Sequence, residues 1–174
     1  MRKWLVVIFT LTALDLASKR IAEAYLTYAE PVAIIPLLNF RLVYNTGAAW
    51  SLLSDAGGWQ RWFFIVIAIG VCLYILNWLR KLQPGEGLMG ISLSLVLSGA
   101  LGNLSDRIVY AKVTDFIDFY YPSQNECLFF FFRLPENTCH WPTFNLADIF
   151  ISVGAVLLLI NLLLEKKVDE TGAN

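Results

Sequence analysis

Histidine occurs once in this chain, at His140, and cysteine only at Cys72, Cys127 and Cys139. These residues are too few and too scattered for a zinc constellation or a CxxC motif. His140 stands in a connecting segment with no serine partner in view, which leaves little for nucleophilic catalysis of the Ser–His type. Charge is scarce too. Thirteen Lys and Arg against 14 Asp and Glu give a net charge of −1, without the basic footprint of a nucleic-acid binder. No internal repeat is present. What abounds is apolar surface: 57% of the 174 residues are hydrophobic and the mean hydropathy is +0.60, too greasy for an ordinary soluble domain.

That apolar content falls into four runs near 4–24, 59–79, 88–109 and 144–164. Each is long enough to cross about 30 Å of hydrocarbon, which takes roughly 20 residues. The expectation is therefore an all-α membrane protein with four transmembrane helices, forming a single domain over 1–174. Arg2 and Lys3, with the cleavage-like Ala22-Glu23-Ala24, also suit a signal peptide, but Asp15, Lys19 and Arg20 lie where such peptides are rarely charged. Basic residues flank the runs at Arg2–Lys3, Arg80–Lys81 and Lys166–Lys167. If the four runs alternate, these clusters share one side, which the positive-inside rule makes cytoplasmic. Both termini then lie inside, and the connections 25–58 and 110–143 face outward.

Asn39 to Tyr44 alternates, with Phe40, Leu42 and Tyr44 on one face, and reads as a strand of a small β element. Gly57-Gly58 breaks the chain before the second run. Residues 119–143 read as a long aromatic loop at the membrane interface, with "LFFFF" at 128–132. Cys127 and Cys139 share that loop on the oxidising side, where a disulfide is expected. Cys72 reads as a small buried hydrophobe, and 165–174 as a disordered tail.

Polar residues inside such runs are costly and face the interior. Asp15 and Lys19 are four apart on one helical face and can pair. Ser94, Ser98 and Gly102 form a small-residue stripe suited to close helix packing. Gly99, Asn103 and Arg107 form a second line with Asp106 beside it, at the outward end. Asn145, Asp148 and Ser152 share one face of the fourth run. "VTDFIDF" at 113–119 adds Asp115 and Asp118 at the same level. Carboxylates so arranged suit acid–base chemistry: one takes a proton from attacking water while another protonates the leaving group. Spacing does not choose between Asp115 and Asp118. Intramembrane acids also serve proton-coupled transport, which needs access from both sides, whereas these polar groups gather at one end.

Five stretches carry a family resemblance: "DLASK" at 15–19, "NTGAAWS" at 45–51, "SGALGNLSDR" at 98–107, "VTDFIDF" at 113–119 and "FNLADIF" at 144–150. In order and spacing the chain resembles prolipoprotein signal peptidase (signal peptidase II), the bacterial membrane aspartyl peptidase. Trp50 stands where that family has phenylalanine, Ser98 where it has glycine, and the 119–143 segment is longer than usual.

The resemblance implies Asp115 and Asp148 as the catalytic dyad. It also implies Asn45, Asn103, Arg107 and Asn145 as substrate-binding residues, with Asp15, Lys19 and Asp106 as structural support. It implies an outward sheet and short surface helix near 30–58. The substrates would be diacylglyceryl-modified prolipoproteins, cleaved before the lipidated cysteine by a cofactor-free monomer in the bacterial inner membrane. The active site would face the extracytoplasmic side, in contact with membrane lipid and sensitive to cyclic peptides such as globomycin. The rival readings are a proton-coupled transporter and a catalytically silent homologue.

Overall fold

The computed structural model describes residues 1–47, 59–124, 126–128, 131–134 and 137–172, with side chains through residue 164. Among these residues the elements run α1 (Arg2–Tyr25), β1 (Pro31–Ile35), β2 (Leu38–Asn45), α2 (Trp59–Lys81), α3 (Gly87–Tyr110), β3 (Val113–Pro122), β4 (Phe132–Leu134), β5 (Thr138–His140) and α4 (Leu146–Gly172). The all-α, four-span expectation is overturned. The five strands form one antiparallel sheet in the order β1-β2-β3-β5-β4. Three helices, α2, α3 and α4, are long and apolar enough to cross a membrane. α1 does not qualify, because Arg2, Lys3, Asp15, Lys19, Arg20 and Glu23 put more than two charges into every 18-residue stretch of it.

The part of the sheet beyond β1 and β2 escaped the sequence reading for a local reason. β3 is buried on both faces over Val113–Phe116 and again at Asp118, so it lacks the apolar–polar alternation of a half-exposed strand. The strand read at Asn39–Tyr44 lies within β2, but its alternation is interrupted by a bulge between Phe40 and Val43. Asn39 and Leu42 are consequently its buried members. The supposed loop 119–143 holds the end of β3 and all of β4 and β5. The expected surface helix falls, beyond β2, on 48–58, which lie outside the described residues, as do Trp50 and the end of the "NTGAAWS" stretch. α4 continues as helix to Gly172, through most of the segment read as a disordered tail.

The chain divides into two compact units. The first comprises Met1–Asp15, Val66–Leu104 and Leu146–Asn174. Of the three apolar helices α3 is the most buried: 61% of its most apolar window is buried, against 22% for α2 and 11% for α4. Exposed side chains on α2 and α4, such as Val66, Leu73, Val156 and Leu159, are what a helix offers to lipid. Within the first unit the helices approach through small residues. Ser94 and Ser98 are fully buried and return their hydroxyls to the carbonyls of Gly90 and Ser94, at 2.6 and 2.8 Å, which satisfies them without a partner helix. Thr12 Oγ1 on α1 donates to the Ser98 carbonyl at 3.2 Å.

Gly99 marks a contact made directly against the backbone of a neighbouring helix. A methyl group there would overlap the carbonyl oxygen of Ala147 and the side chain of Ile151 in α4. Backbone cannot retreat as a flexible side chain can, so Gly99→Ala is expected to cost about 1–3 kcal/mol, as overpacking does. Thermal unfolding in detergent checks this; an unchanged melting temperature would mean that α4 is not held against α3 at this point.

The second unit comprises Leu16–Ile65 and Ser105–Asn145. It contains the sheet and a dense polar network. Lys19 and Asp106, both fully buried, pair at 3.2 Å, and Arg20 bonds the other Asp106 oxygen at 2.9 Å. Asp106 also accepts the Thr114 backbone N–H at 3.2 Å, while the Thr114 hydroxyl donates to Glu23 at 2.7 Å. Cys127 and Cys139 are joined by a disulfide.

Candidate active site

In the second unit β3 presents Asp115 with only 3% of its surface exposed. Asn145 Nδ2, in the residue just before α4, donates to Asp115 Oδ1 at 2.6 Å. A carboxylate only accepts hydrogen bonds, so an amide N–H both orients it and satisfies it. Asn145 itself is fully buried. The polar network grips β3 one residue earlier, at Thr114, and so the strand is fixed directly beside Asp115.

The first unit repeats the arrangement with different residues. Asp148 lies in the first turn of α4, near the positive end of the helix dipole. Asn103 Nδ2 on α3 donates to Asp148 Oδ1 at 2.8 Å. One residue before Asp148, the backbone N–H of Ala147 donates to Asp15 Oδ1 at 2.9 Å. The fully buried Asp15 of α1 thus caps α4 from another helix, supplying the acceptor that a helix start requires. Asp115 and Asp148 belong to different units.

The remaining predicted residues fall into two groups. Asn45 Oδ1 accepts the Gly47 N–H at 2.9 Å, and Arg107 donates to the Gly47 carbonyl at 2.9 Å. Arg107 also lies over the Phe64 ring, 5.4 Å from its centroid. Asn45 and Arg107 therefore converge on one short backbone segment. Lys19 and Asp106 form the buried pair described above, with Asp15 on the cap.

Several side chains that hold the elements around these carboxylates were not read from the sequence. Glu23 lies four residues beyond Lys19, on the same helical face, and that spacing was a usable signal. Arg61 donates to the carbonyls of Arg107 and Ile108 at 2.9 and 2.8 Å, closing the C-terminal end of α3; nothing local announces it. His140, read as incidental, is 3% exposed and bonds Asp118. Among the described residues no group of three or more His, Cys, Asp or Glu could hold a metal ion.

Apolar helices long enough to span a bilayer, with carboxylates each held by a carboxamide, define the class of a membrane-embedded protein. Comparison with known proteins makes this specific. Residues 7–164 match the family model described as signal peptidase (SPase) II. The lipoprotein signal peptidase of Hydrogenovibrio crunogenus is 48% identical over 158 residues, 91% of this chain and 82% of that protein. That of Aeromonas hydrophila is 42% identical over 171 residues, covering 97% and 93% of the two chains. A solved bacterial membrane enzyme superposes with a TM-score of 0.77 at 28% identity, covering 95% of this chain and 90% of that one. The chain belongs to the signal peptidase II family, and is a peptidase rather than a transporter.

Proposed function

We propose that this signal peptidase removes signal peptides from diacylglyceryl-modified prolipoproteins, cleaving before the lipidated cysteine with Asp115 and Asp148 as an aspartyl dyad. The observation that carries the reading is the matched treatment of the two carboxylates. Each accepts a hydrogen bond from an asparagine amide, in a chain whose family is a peptidase family. One aspartate takes a proton from water as it attacks the scissile carbonyl. The other donates a proton to the departing amine, and the tetrahedral intermediate collapses to release the signal peptide. Asn103 and Asn145 hold the carboxylates in orientation. Asn45 and Arg107, converging on Gly47, position substrate. Asp15, Lys19 and Asp106 support the frame.

The catalytic side is extracytoplasmic in this reading, with the bacterial inner membrane as its setting. The Cys127–Cys139 disulfide supports it, since such a bond persists on the oxidising side of the membrane. Arg80 and Lys81 at the end of α2 fit the opposite, cytoplasmic side. The lipid chains of the substrate rest on apolar helix surface, and the enzyme works as a monomer without metal or cofactor. The deciding experiment offers detergent-purified protein a diacylglyceryl-modified precursor beside the same precursor unlipidated, with and without globomycin. Cleavage of the lipidated form alone, blocked by globomycin, is the expected result. Equal cleavage of both forms would sink the lipid requirement, and cleavage of neither would sink the proposed substrate.

A further inference from the structure

Residues 138–145 form a strap laid antiparallel along β3, the strand that carries Asp115. His140 pairs with Tyr120 and Cys139 with Tyr121. The Trp141 N–H then donates to the Phe119 carbonyl at 2.8 Å. Phe144 bridges to Ile117, its N–H donating to the Ile117 carbonyl at 3.0 Å and its own carbonyl accepting from Phe116 and Ile117. The strap ends with Asn145 donating to Asp115. Three residues further along the chain comes Asp148.

The other end of the strap is tied down unusually firmly. Cys139 is completely buried and bridged to Cys127. His140 Nδ1 lies 2.8 and 3.0 Å from the two oxygens of Asp118. Asp118 is fully buried and only accepts, so Nδ1 carries the hydrogen and donates. The second ring nitrogen, Nε2, meets the Thr138 hydroxyl at 2.9 Å. The imidazole stacks between Tyr120 and Phe132, with centroids 5.6 and 6.0 Å away. A buried His–Asp contact is costly to assemble and conspicuous when the proposed chemistry does not use it. Here it binds β5 to β3 three residues from Asp115.

We propose that Asp118, His140 and the Cys127–Cys139 bridge are positioning residues, which fix the strap and, through Asn145, the orientation of Asp115. They touch no reacting atom. The inference rests on the dyad reading above, and it predicts that loosening the far end of the strap impairs the chemical step rather than substrate capture.

The test uses the full chain in detergent, comparing wild type with His140→Ala, His140→Asn and the Cys127→Ser/Cys139→Ser double variant. The readouts are cleavage kinetics on the diacylglyceryl-modified precursor, thermal unfolding, and amide exchange at Trp141 and Phe144. The expected result for His140→Ala and the serine pair is a kcat lower by about 10- to 100-fold, the loss that small misplacements of catalytic groups bring. KM stays within about twofold, since uniform binding is untouched. Exchange at Trp141 and Phe144 quickens while the interior of α3 keeps its protection. His140→Asn retains a donor for Asp118 and recovers part of kcat.

If the serine pair does not fold, wild type is reduced in place with dithiothreitol, which yields two thiols as the reagent closes to its cyclic disulfide. Unchanged kcat in His140→Ala and the bridge-free protein overturns the proposal, whatever exchange shows. So does lost activity with unaltered exchange at Phe144, because the strap would then not be the route. Failure of wild type to cleave the precursor sinks the proposed function instead, and exchange alone still decides whether His140 and the bridge anchor the strap.

Discussion

Asp115→Asn and Asp148→Asn are each expected to abolish cleavage to within assay limits, a loss of about 10³-fold or more, while the protein stays folded. The substitution is nearly isosteric. Asn145 Nδ2 now donates to Asp115 Oδ1, and Asn103 Nδ2 to Asp148 Oδ1. An asparagine carbonyl accepts the same hydrogen bond, so orientation survives in both variants. What disappears is the ability to take and return a proton, which contributes about 10²–10⁴ in rate for one such group. Two groups acting on one water and one leaving group are not independent, so the double variant should be hardly worse than either single one. Single-turnover cleavage of lipidated precursor measures this, with thermal unfolding run in parallel. A variant that keeps a tenth of the wild-type rate would remove its aspartate from the dyad. Substantially greater loss in the double variant would point to separate roles.

Asp106→Ala is expected to be the most damaging substitution away from the chemistry. Asp106 is completely buried and is the counter-charge for Lys19, itself completely buried, and for Arg20. Removing one member of a buried ion pair leaves its partner's charge without that compensation, which costs about 3–5 kcal/mol. The Thr114 backbone N–H loses its acceptor at the same time. In a chain of this size that corresponds to a melting temperature lower by roughly 6–20 °C. The change also loosens β3 beside Asp115, so activity at low temperature should fall more than the folded fraction does. Thermal unfolding with an activity measurement well below the transition tests both parts. A shift of only a degree or two would show that other acceptors and water compensate Lys19 adequately without Asp106.

The parts of the site that could be read in advance were those announced by local spacing. Asn145 and Asp148 share the start of an apolar run, and Asn103 and Arg107 share a helical line. Each therefore stood out as a polar group where apolar ones are the norm. Asp115 differed, because Asp118 offered the same chemistry at the same depth, and only the family resemblance singled out Asp115 in advance. In the structure both are buried, yet Asp115 receives Asn145 whereas Asp118 receives His140. The pairing of Asp118 with His140 spans 22 residues and leaves no periodic trace. The same holds for Arg61 on the end of α3, 46 residues away.

By itself the sequence determined what depends on composition and short-range period. Helices α2, α3 and α4 follow from runs of apolar residues near the length of a bilayer core, because in hydrocarbon a backbone must satisfy its own hydrogen bonds. The small residues that let helices meet, and the carboxylates placed among them, were equally plain in one dimension. Tertiary structure alone decided how those carboxylates are held. A strand buried on both faces looks locally like any apolar segment, so β3 became a strand only through its partners β2 and β5. α1 resembled the other apolar runs, but Asp15, Lys19 and Arg20 have their places because α3 and α4 supply groups to meet them. Buried charge is tolerable only when compensated, and that compensation comes from residues as many as 132 positions distant, beyond the reach of any local pattern.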